Sequence, residues 1–186
     1  DLIIEKTKKF GGRSHIVHLS SAQALAALDQ AKSQSLPISA ETCPHYLFLS
    51  REKIDESLAP RGKTIFKCCP PIREESNRNE LWQGLKRGII DLVVSDHSPC
   101  TPSLKLLKEG DFTKAWGGIS SLQFTLPLIW TEAKSRGFSF SHLAQWMASA
   151  PAELAGLSQR KGAIKKGLDA DFAFFAPEST LFIEEE

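Results

Sequence analysis

The stretch IIDLVVSDHSPC, Ile89 to Cys100, runs from aliphatic residues directly onto an aspartate and a histidine. Ile89, Ile90, Leu92, Val93 and Val94 make a nearly continuous apolar run. That is the pattern of a strand covered on both faces, as in a parallel sheet. A charged Asp96 at the exit of such a strand needs partners, because an unpaired polar group beside a core is costly. Parallel strands also need helical crossovers, so helices should alternate with strands on either side.

The chain supplies that alternation. Ser14 to Ser20, SHIVHLS, reads as a strand, with β-branched Ile16 and Val17. Ser21 to Gln34 follows as a helix, with Ser21 placed to cap it and Leu25 and Leu28 on one stripe. Pro37 to Cys43 reads as the next strand, and Leu47 to Ser57 as a short helix with loops. Lys63 to Cys69, KTIFKCC, is a further strand candidate, stopped by Pro70 and Pro71. Asn77 to Gly88 is an amphipathic helix closed by Gly88. Thr101 to Ser120 is a long polar connection with glycines at 110, 117 and 118, and loops of that length are usually functional. Two more helices follow, with Pro127 expected to kink the first. From Lys161 the chain becomes Gly-punctuated and then alternates around Phe172, Phe174 and Phe175, which suggests strands outside the main sheet. The expected fold class is therefore α/β with a parallel sheet.

Composition excludes several alternatives. The 186 residues carry 23 Lys and Arg against 22 Asp and Glu, so a formal charge of +1 gives no electrostatic reason to expect nucleic acid or an acidic membrane as partner. No apolar stretch reaches the roughly 18 residues of a membrane span. The start, DLIIEKTKKFGGR, is not a signal peptide and reads as the tail of a helix, so the chain is expected to begin inside a larger protein. The four cysteines, at 43, 68, 69 and 100, form no CxxC pair and read as reduced thiols of an intracellular protein.

Catalytic groups of a (β/α)8 barrel sit at the C-terminal ends of its strands. His18, His45 and Asp96 all occupy such positions. Imidazole and carboxylate are good ligands for zinc and similar metals. Taken singly, a strand-end histidine is more often a hydrogen-bonded structural residue, and an aspartate there a turn former. His15 lies on the opposite face of its strand from His18 and reads as structural. His142, at a helix start, reads as a surface residue. Trp82, Trp130 and Trp146 read as core, while Trp116, in the AWGG loop, suits either loop packing or a substrate wall. No cysteine spacing supports a metal site.

The segments HIVHLSS, ETCPHYLFL, CCPPIR, LVVSDHSPC, KAWGGISSLQ and KGAIKKGLDADFAFFAP resemble, in order, those of the cyclic amidohydrolases, and within them the allantoinases. The resemblance covers about residues 1 to 180. It implies the C-terminal half of a (β/α)8 TIM-type barrel: residues 1–160 the barrel portion, about strands five to eight, and 161–186 the start of a small β-sandwich return segment. It implies hydrolysis of a cyclic amide, with allantoin the small-molecule substrate, by two divalent metals, expected to be Zn²⁺, that activate a bridging hydroxide. By the same resemblance His18 is the third metal histidine, ending strand five, and His45 the fourth, after strand six. Asp96 is the strand-eight metal ligand and the catalytic proton shuttle. Cys69 holds the substrate ring through its backbone, and His97, Ser98 and Trp116 lie near the substrate. Cys100 stands where dihydroorotases carry a second histidine, which points away from a carboxylate-bearing substrate.

The family's HxH pair of strand one and its bridging lysine of strand four have no counterpart in the 186 residues. The chain by itself is therefore expected to be inactive. The alternatives are a non-catalytic, partner-binding product and a dihydroorotase- or dihydropyrimidinase-type enzyme. A full-length form is expected to be a cytoplasmic homo-oligomer, with the peroxisome or another organelle open.

Overall fold

The fold is described from a computed structural model, covering residues 1–180 and Phe182. Leu181 and residues 183–186, the end of the expected accessory segment, lie outside the described residues.

The chain opens with α1, Leu2–Phe10, which ends on Gly11 at φ 67°. β1, Ser14–Ile16, leads through a 3₁₀ turn at Ala22–Ala24 into α2, Leu25–Ser33. β2, Ile38–Thr42, runs parallel to β1 with Ser14 opposite Ile38 and Ile16 opposite Ala40. α3, Pro44–Phe48, follows at once, then α4, Arg51–Glu56, and α5, Glu75–Lys86. β3, Leu92–Val93, joins the other edge of β2, with Glu41 opposite Leu92 and Thr42 opposite Val93. The sheet order is β1-β2-β3. α6, Thr125–Ser135, then α7, Phe140–Ala144, a π turn over Gln145–Ser149 and α8, Ala150–Leu154, complete the helical layer.

Side-chain alternation on β2 divides the sheet into two environments. Ile38, Ala40 and Thr42 are buried, and Ile38 and Ala40 join Leu25, Leu28, Leu81, Trp82 and Leu85 in the main core. Ser39 and Glu41 point to the other face, where His15 meets both, with its Nδ1 2.8 Å from Ser39 Oγ and its Nε2 2.9 Å from Glu41 Oε2. The structural reading of His15 is borne out. Lys32 of α2 donates to both carboxylate oxygens of Asp91 at 2.7 Å, and the same carboxylate accepts from the Ala40 backbone N–H. This locks a helix, the central strand and the entry to β3 together.

Aromatic packing holds the last helices on α5. Trp82 stacks on Phe138 at 5.6 Å and meets Trp146 edge-on at 6.0 Å. Arg78, almost fully buried, donates to the Phe48 carbonyl and pairs with Glu132 at 3.2 Å, tying α5 to α3 and α6. Ser139 and His142 form a reciprocal capping box at the start of α7. His142 therefore caps a helix.

Three expectations are corrected. Lys63 to Cys69 is no strand: Arg61–Phe66 is a 3₁₀ turn kinked at Gly62 and Lys63, both at positive φ. Left-handed residues cannot sit in a pleated strand, and Pro70 and Pro71 remove the next two donors. The described sheet thus has three strands where four were expected. If β3 is the eighth strand of a barrel, β1 is the sixth, one later than the numbering carried over to His18 and His45. Next, residues 161–180 hold no strand among the described residues. The rings of Phe172 and Phe174 lie edge-on with centroids 6.1 Å apart, but among the described residues no ladder partner lies beside them, and a lone alternating segment does not form a sheet. Finally, Pro127 falls in the first turn of α6, where its missing N–H is not needed, so it terminates nothing and kinks nothing.

Candidate metal centre at the strand ends

β1, β2 and β3 point the same way, so their C-terminal exits lie side by side. Beyond β1, Leu19 donates its backbone N–H to Glu41 O at 2.8 Å and Thr42 donates its hydroxyl to Leu19 O, which turns the chain at His18. Beyond β2, Cys43 caps α3 and Pro44 begins it, so the chain bends sharply and drives His45 inward. Beyond β3 comes Asp96. His18 and Asp96 both adopt left-handed backbone, at φ 39° and 44°. Residues other than glycine hold that conformation at a cost of about 1–3 kcal/mol, and such strain clusters where function needs it.

Donor atoms of Cys43, His45 and Asp96 all lie within 4.8 Å of one another. His45 is only 3% exposed, yet neither ring nitrogen has a hydrogen-bond partner. His18 Nδ1 is likewise buried and unpartnered. Orphaned buried nitrogens cost roughly 1–3 kcal/mol each, and a coordinated cation is one way to satisfy them. Imidazole, carboxylate and thiol are a donor set that fits a divalent metal of the zinc type.

The electrostatics suit a ligand role for His45 and oppose one for Cys43, whose thiol must lose its proton to bind a metal. Burial pushes the His45 ring down to about 4, against the pull of Asp96 and with a smaller push from His18, so the imidazole is neutral at pH 7. Burial, reinforced by Asp96 and Glu41, holds the Cys43 thiol well above its ordinary value. Tyr46 sets its ring edge-on to His45 at 4.2 Å and donates its phenol to Pro70 O at 2.7 Å, which fixes the imidazole plane.

A pH dependence of folding follows. An unfolded histidine titrates near 6.5, and the folded His45 ring near 4. Between those values the unfolded chain binds the extra proton, so stability is fully present above the upper value and is lost as pH falls toward the lower. His45 is expected to make the metal-free chain about 2 kcal/mol less stable at pH 5 than at pH 7.5. Urea unfolding at the two pH values measures this. His45→Gln should flatten the difference, and an undiminished slope in that variant would remove His45 as its source.

The other expected site residues, His18 among them, lie outside this cluster. His97 Nδ1 accepts from the backbone N–H of Ser121 and Leu122 at 3.1 and 3.2 Å, leaving Nε2 as its free position. Ser98 Oγ accepts from Ile119 N and donates to Asp96 O. The two residues thus zip the Asp96 loop to residues 119–122. Gly118, at φ 132°, makes this approach possible, since a β-carbon there would fall 2.3 Å from Ser98 O. Buried Lys105 donates to Lys67 O and Gly118 O, and Gly118 N donates to Lys67 O, so the long loop is pinned beside Cys69. Cys69 itself is exposed, and the Trp116 ring is 60% exposed at the loop surface. A cleft of about 270 Å³ lined by Arg51, Ile54, Phe66 and Phe112 is separate from the histidine and aspartate cluster.

Cys43 is the residue that spacing did not select. The one available signal was its position two before His45, and in an unbroken strand that places both on one face. Here the strand gives way to α3 at Pro44, and the helix turn brings them together.

Residues 1–184 match the family model described as "Amidohydrolase family". The chain is 54% identical over 164 residues to a protein of Aquarana catesbeiana named "Allantoinase, mitochondrial", covering 88% of this chain and 33% of that protein. It is 48% identical over 178 residues to "Probable allantoinase 2" of Dictyostelium discoideum, covering 93% and 34%. Among solved structures, D-hydantoinase (dihydropyrimidinase) from Thermus sp. superimposes with TM-score 0.82 at 30% identity, over 91% of this chain and 37% of that one. Dihydropyrimidinase from Brevibacillus agri NCHU1002 gives TM-score 0.81 at 30% identity, over 90% and 36%. The chain spans about a third of the length of the curated relatives it matches.

Proposed function

The chain belongs to the amidohydrolase family, and from that membership we propose that it carries part of the active centre of an allantoinase-type enzyme, opening the hydantoin ring of allantoin to allantoate in purine breakdown. The observation that carries the reading is His45, buried with both ring nitrogens unpartnered and facing Asp96 at the ends of adjacent parallel strands. Two relatives that are 48% and 54% identical bear allantoinase names and support the substrate.

His18, His45 and Asp96 are the residues proposed to hold divalent metal, with Zn²⁺ the ion their donor set favours; with β1 counted as the sixth strand, His18 takes the place of the fourth metal histidine, and His45 is proposed on its burial and its closeness to Asp96 alone. The bound ion would supply Lewis acidity toward the amide carbonyl and toward water. The Asp96 carboxylate accepts a proton from the attacking water and delivers it to the ring nitrogen as the C–N bond breaks. The carbonyl carbon leaves as a carboxylate and the nitrogen as a ureido NH₂, so one water is consumed. His97 presents Nε2 to the substrate while its Nδ1 holds the loop. Ser98, the Cys69 backbone and the Trp116 ring complete the substrate wall. Cys100, four residues past Asp96, offers no cation for a substrate carboxylate. Residues 1–160 are proposed as the barrel portion and 161–186 as the start of the accessory segment.

No helix among the described residues is long and apolar enough to cross a membrane. The cytoplasm is the proposed compartment, supported by free cysteines at 43, 68, 69 and 100, and the proposed full-length assembly is a homo-oligomer.

The solved structures in the superposition carry hydantoinase and dihydropyrimidinase names, so ring specificity is the point to test. The three ligands proposed here are part of a larger set in the resemblance, whose HxH pair and bridging lysine have no counterpart in the 186 residues, so the chain by itself is proposed to be inactive. The test is a panel of allantoin, hydantoin, dihydrouracil and dihydroorotate, run on a form that carries the HxH pair and the bridging lysine. Allantoin should have the highest kcat/KM. Preference for dihydrouracil or dihydroorotate would overturn the assignment.

A further inference from the structure

We propose that Lys105 is a positioning residue: its buried ammonium fixes the backbone of residues 67–69 against Gly118, and so sets the surface on which the substrate ring lies. The inference rests on the proposed function in taking the Cys69 backbone as the support of that ring.

Burial and pairing carry it first. Lys105 is only 7% exposed, and among the described residues no carboxylate pairs with it. Its ammonium donates to Lys67 O at 2.9 Å and to Gly118 O, carbonyls of two different segments. A buried cation held by carbonyls alone is a costly way to fasten a loop, because the charge gives up its hydration without meeting an anion. Burial accordingly holds the amine below its ordinary lysine range, with Cys100 and Cys68 opposing and Lys67 adding. A methionine would fill the same length without that cost. Charged groups kept against desolvation cluster at functional sites.

What the ammonium holds is the proposed substrate wall. A β-carbon on Gly117 would lie 3.7 Å from Cys69 N, so the loop rests directly on the Cys68 to Cys69 peptide. Gly118 N donates to Lys67 O at 2.9 Å, so that carbonyl accepts from the loop backbone and from the ammonium together. Trp116 N donates to the carbonyl of Leu104, the residue before Lys105, which ties the Trp116 ring to the same fastening. Asp96 is held by another route: Ser98 Oγ donates to its carbonyl and accepts from Ile119 N. Lys105 therefore bears on how the ring is held and leaves proton transfer to Asp96. Such an interaction stabilises substrate and transition state alike, which moves KM and spares kcat.

The test joins allantoin kinetics, in a form that carries the HxH pair and the bridging lysine, to amide hydrogen exchange of the 186-residue chain. Lys105→Met should raise KM at least about tenfold, the scale of one lost charge-assisted hydrogen bond, and change kcat less than about threefold. Lys105→Arg, which keeps the charge and the donors, should recover most of that KM. In the chain, the Gly118 N–H should exchange at least about tenfold faster in Lys105→Met, while the Leu81 and Leu85 amides of α5 keep their wild-type rates. Those core amides also report folding. If they lose protection, Lys105→Gln takes the place of the methionine variant and should show the same split between KM and kcat. Unchanged KM in the folded variant, a fall in kcat as large as the fall in kcat/KM, or Gly118 exchange at the wild-type rate overturns the proposal. A competent wild type that turns over no allantoin overturns the functional reading and this proposal with it. Turnover with KM unchanged in the variant overturns this proposal alone.

Discussion

In a catalytically competent form of the protein, Asp96→Asn is expected to lower kcat for ring opening about 10³-fold. Asn is the informative replacement because the backbone at Asp96 is left-handed, at φ 44°. Asn tolerates that region better than Ala, so the loop should survive the change. The shape also survives: the amide oxygen can still occupy one carboxylate position. What is lost is the negative charge and the capacity to carry a proton. The loop contacts made by neighbouring groups, Ser98 Oγ with Ile119 N and His97 Nδ1 with Ser121 N, do not involve the Asp96 side chain and should persist. Kinetics with allantoin would measure the effect, with calorimetric metal titration beside it. A variant that keeps kcat within tenfold of wild type would remove Asp96 as proton carrier.

Trp82→Ala is expected to destabilise the fold by about 3–5 kcal/mol. Trp82 is fully buried and its indole N–H donates to Leu47 O at 3.0 Å. Phe138 stacks on it, Trp146 meets its edge, and the Arg136 guanidinium lies 5.3 Å over its ring. Truncation opens a large cavity and leaves the Leu47 carbonyl without a donor. Trp82→Phe keeps most of the volume and loses the hydrogen bond, so it should cost less, roughly 1–2 kcal/mol. Urea unfolding of both variants gives the comparison. Leu47 belongs to α3, two residues from His45, so loss of the Trp82 prop should also loosen the histidine and weaken metal binding. An Ala variant within about 1 kcal/mol of wild type would contradict this packing.

The alternation of parallel strands and helices was legible because it follows from side-chain periodicity over single segments. β2 shows it most clearly, with Ile38 and Ala40 turned into the core and Ser39 and Glu41 away from it. Asp96 stood out as a charge at the end of an apolar run. Lys63 to Cys69 misled because its residue types suit a strand, while its backbone is set by Gly62 and Lys63 in left-handed conformations and by Pro70 and Pro71, which remove the next two donors. The Phe172–Phe175 segment misled for a related reason: alternation signals a two-faced surface, but a strand exists only when a partner accepts its hydrogen bonds.

By itself the sequence determined that the sheet is parallel, that His18, His45 and Asp96 follow strands, and which ordered segments tie the chain to its family. Only the tertiary structure decided which of those groups meet. The β2–β3 register sets Thr42 opposite Val93, so the chain leaves both strands at the same level. Pro44 then starts a helix on one side and the left-handed Asp96 turns the chain on the other, which brings Cys43 and His45 to the carboxylate. That convergence depends on hydrogen bonds between segments some fifty residues apart, and no local pattern of residue types encodes it.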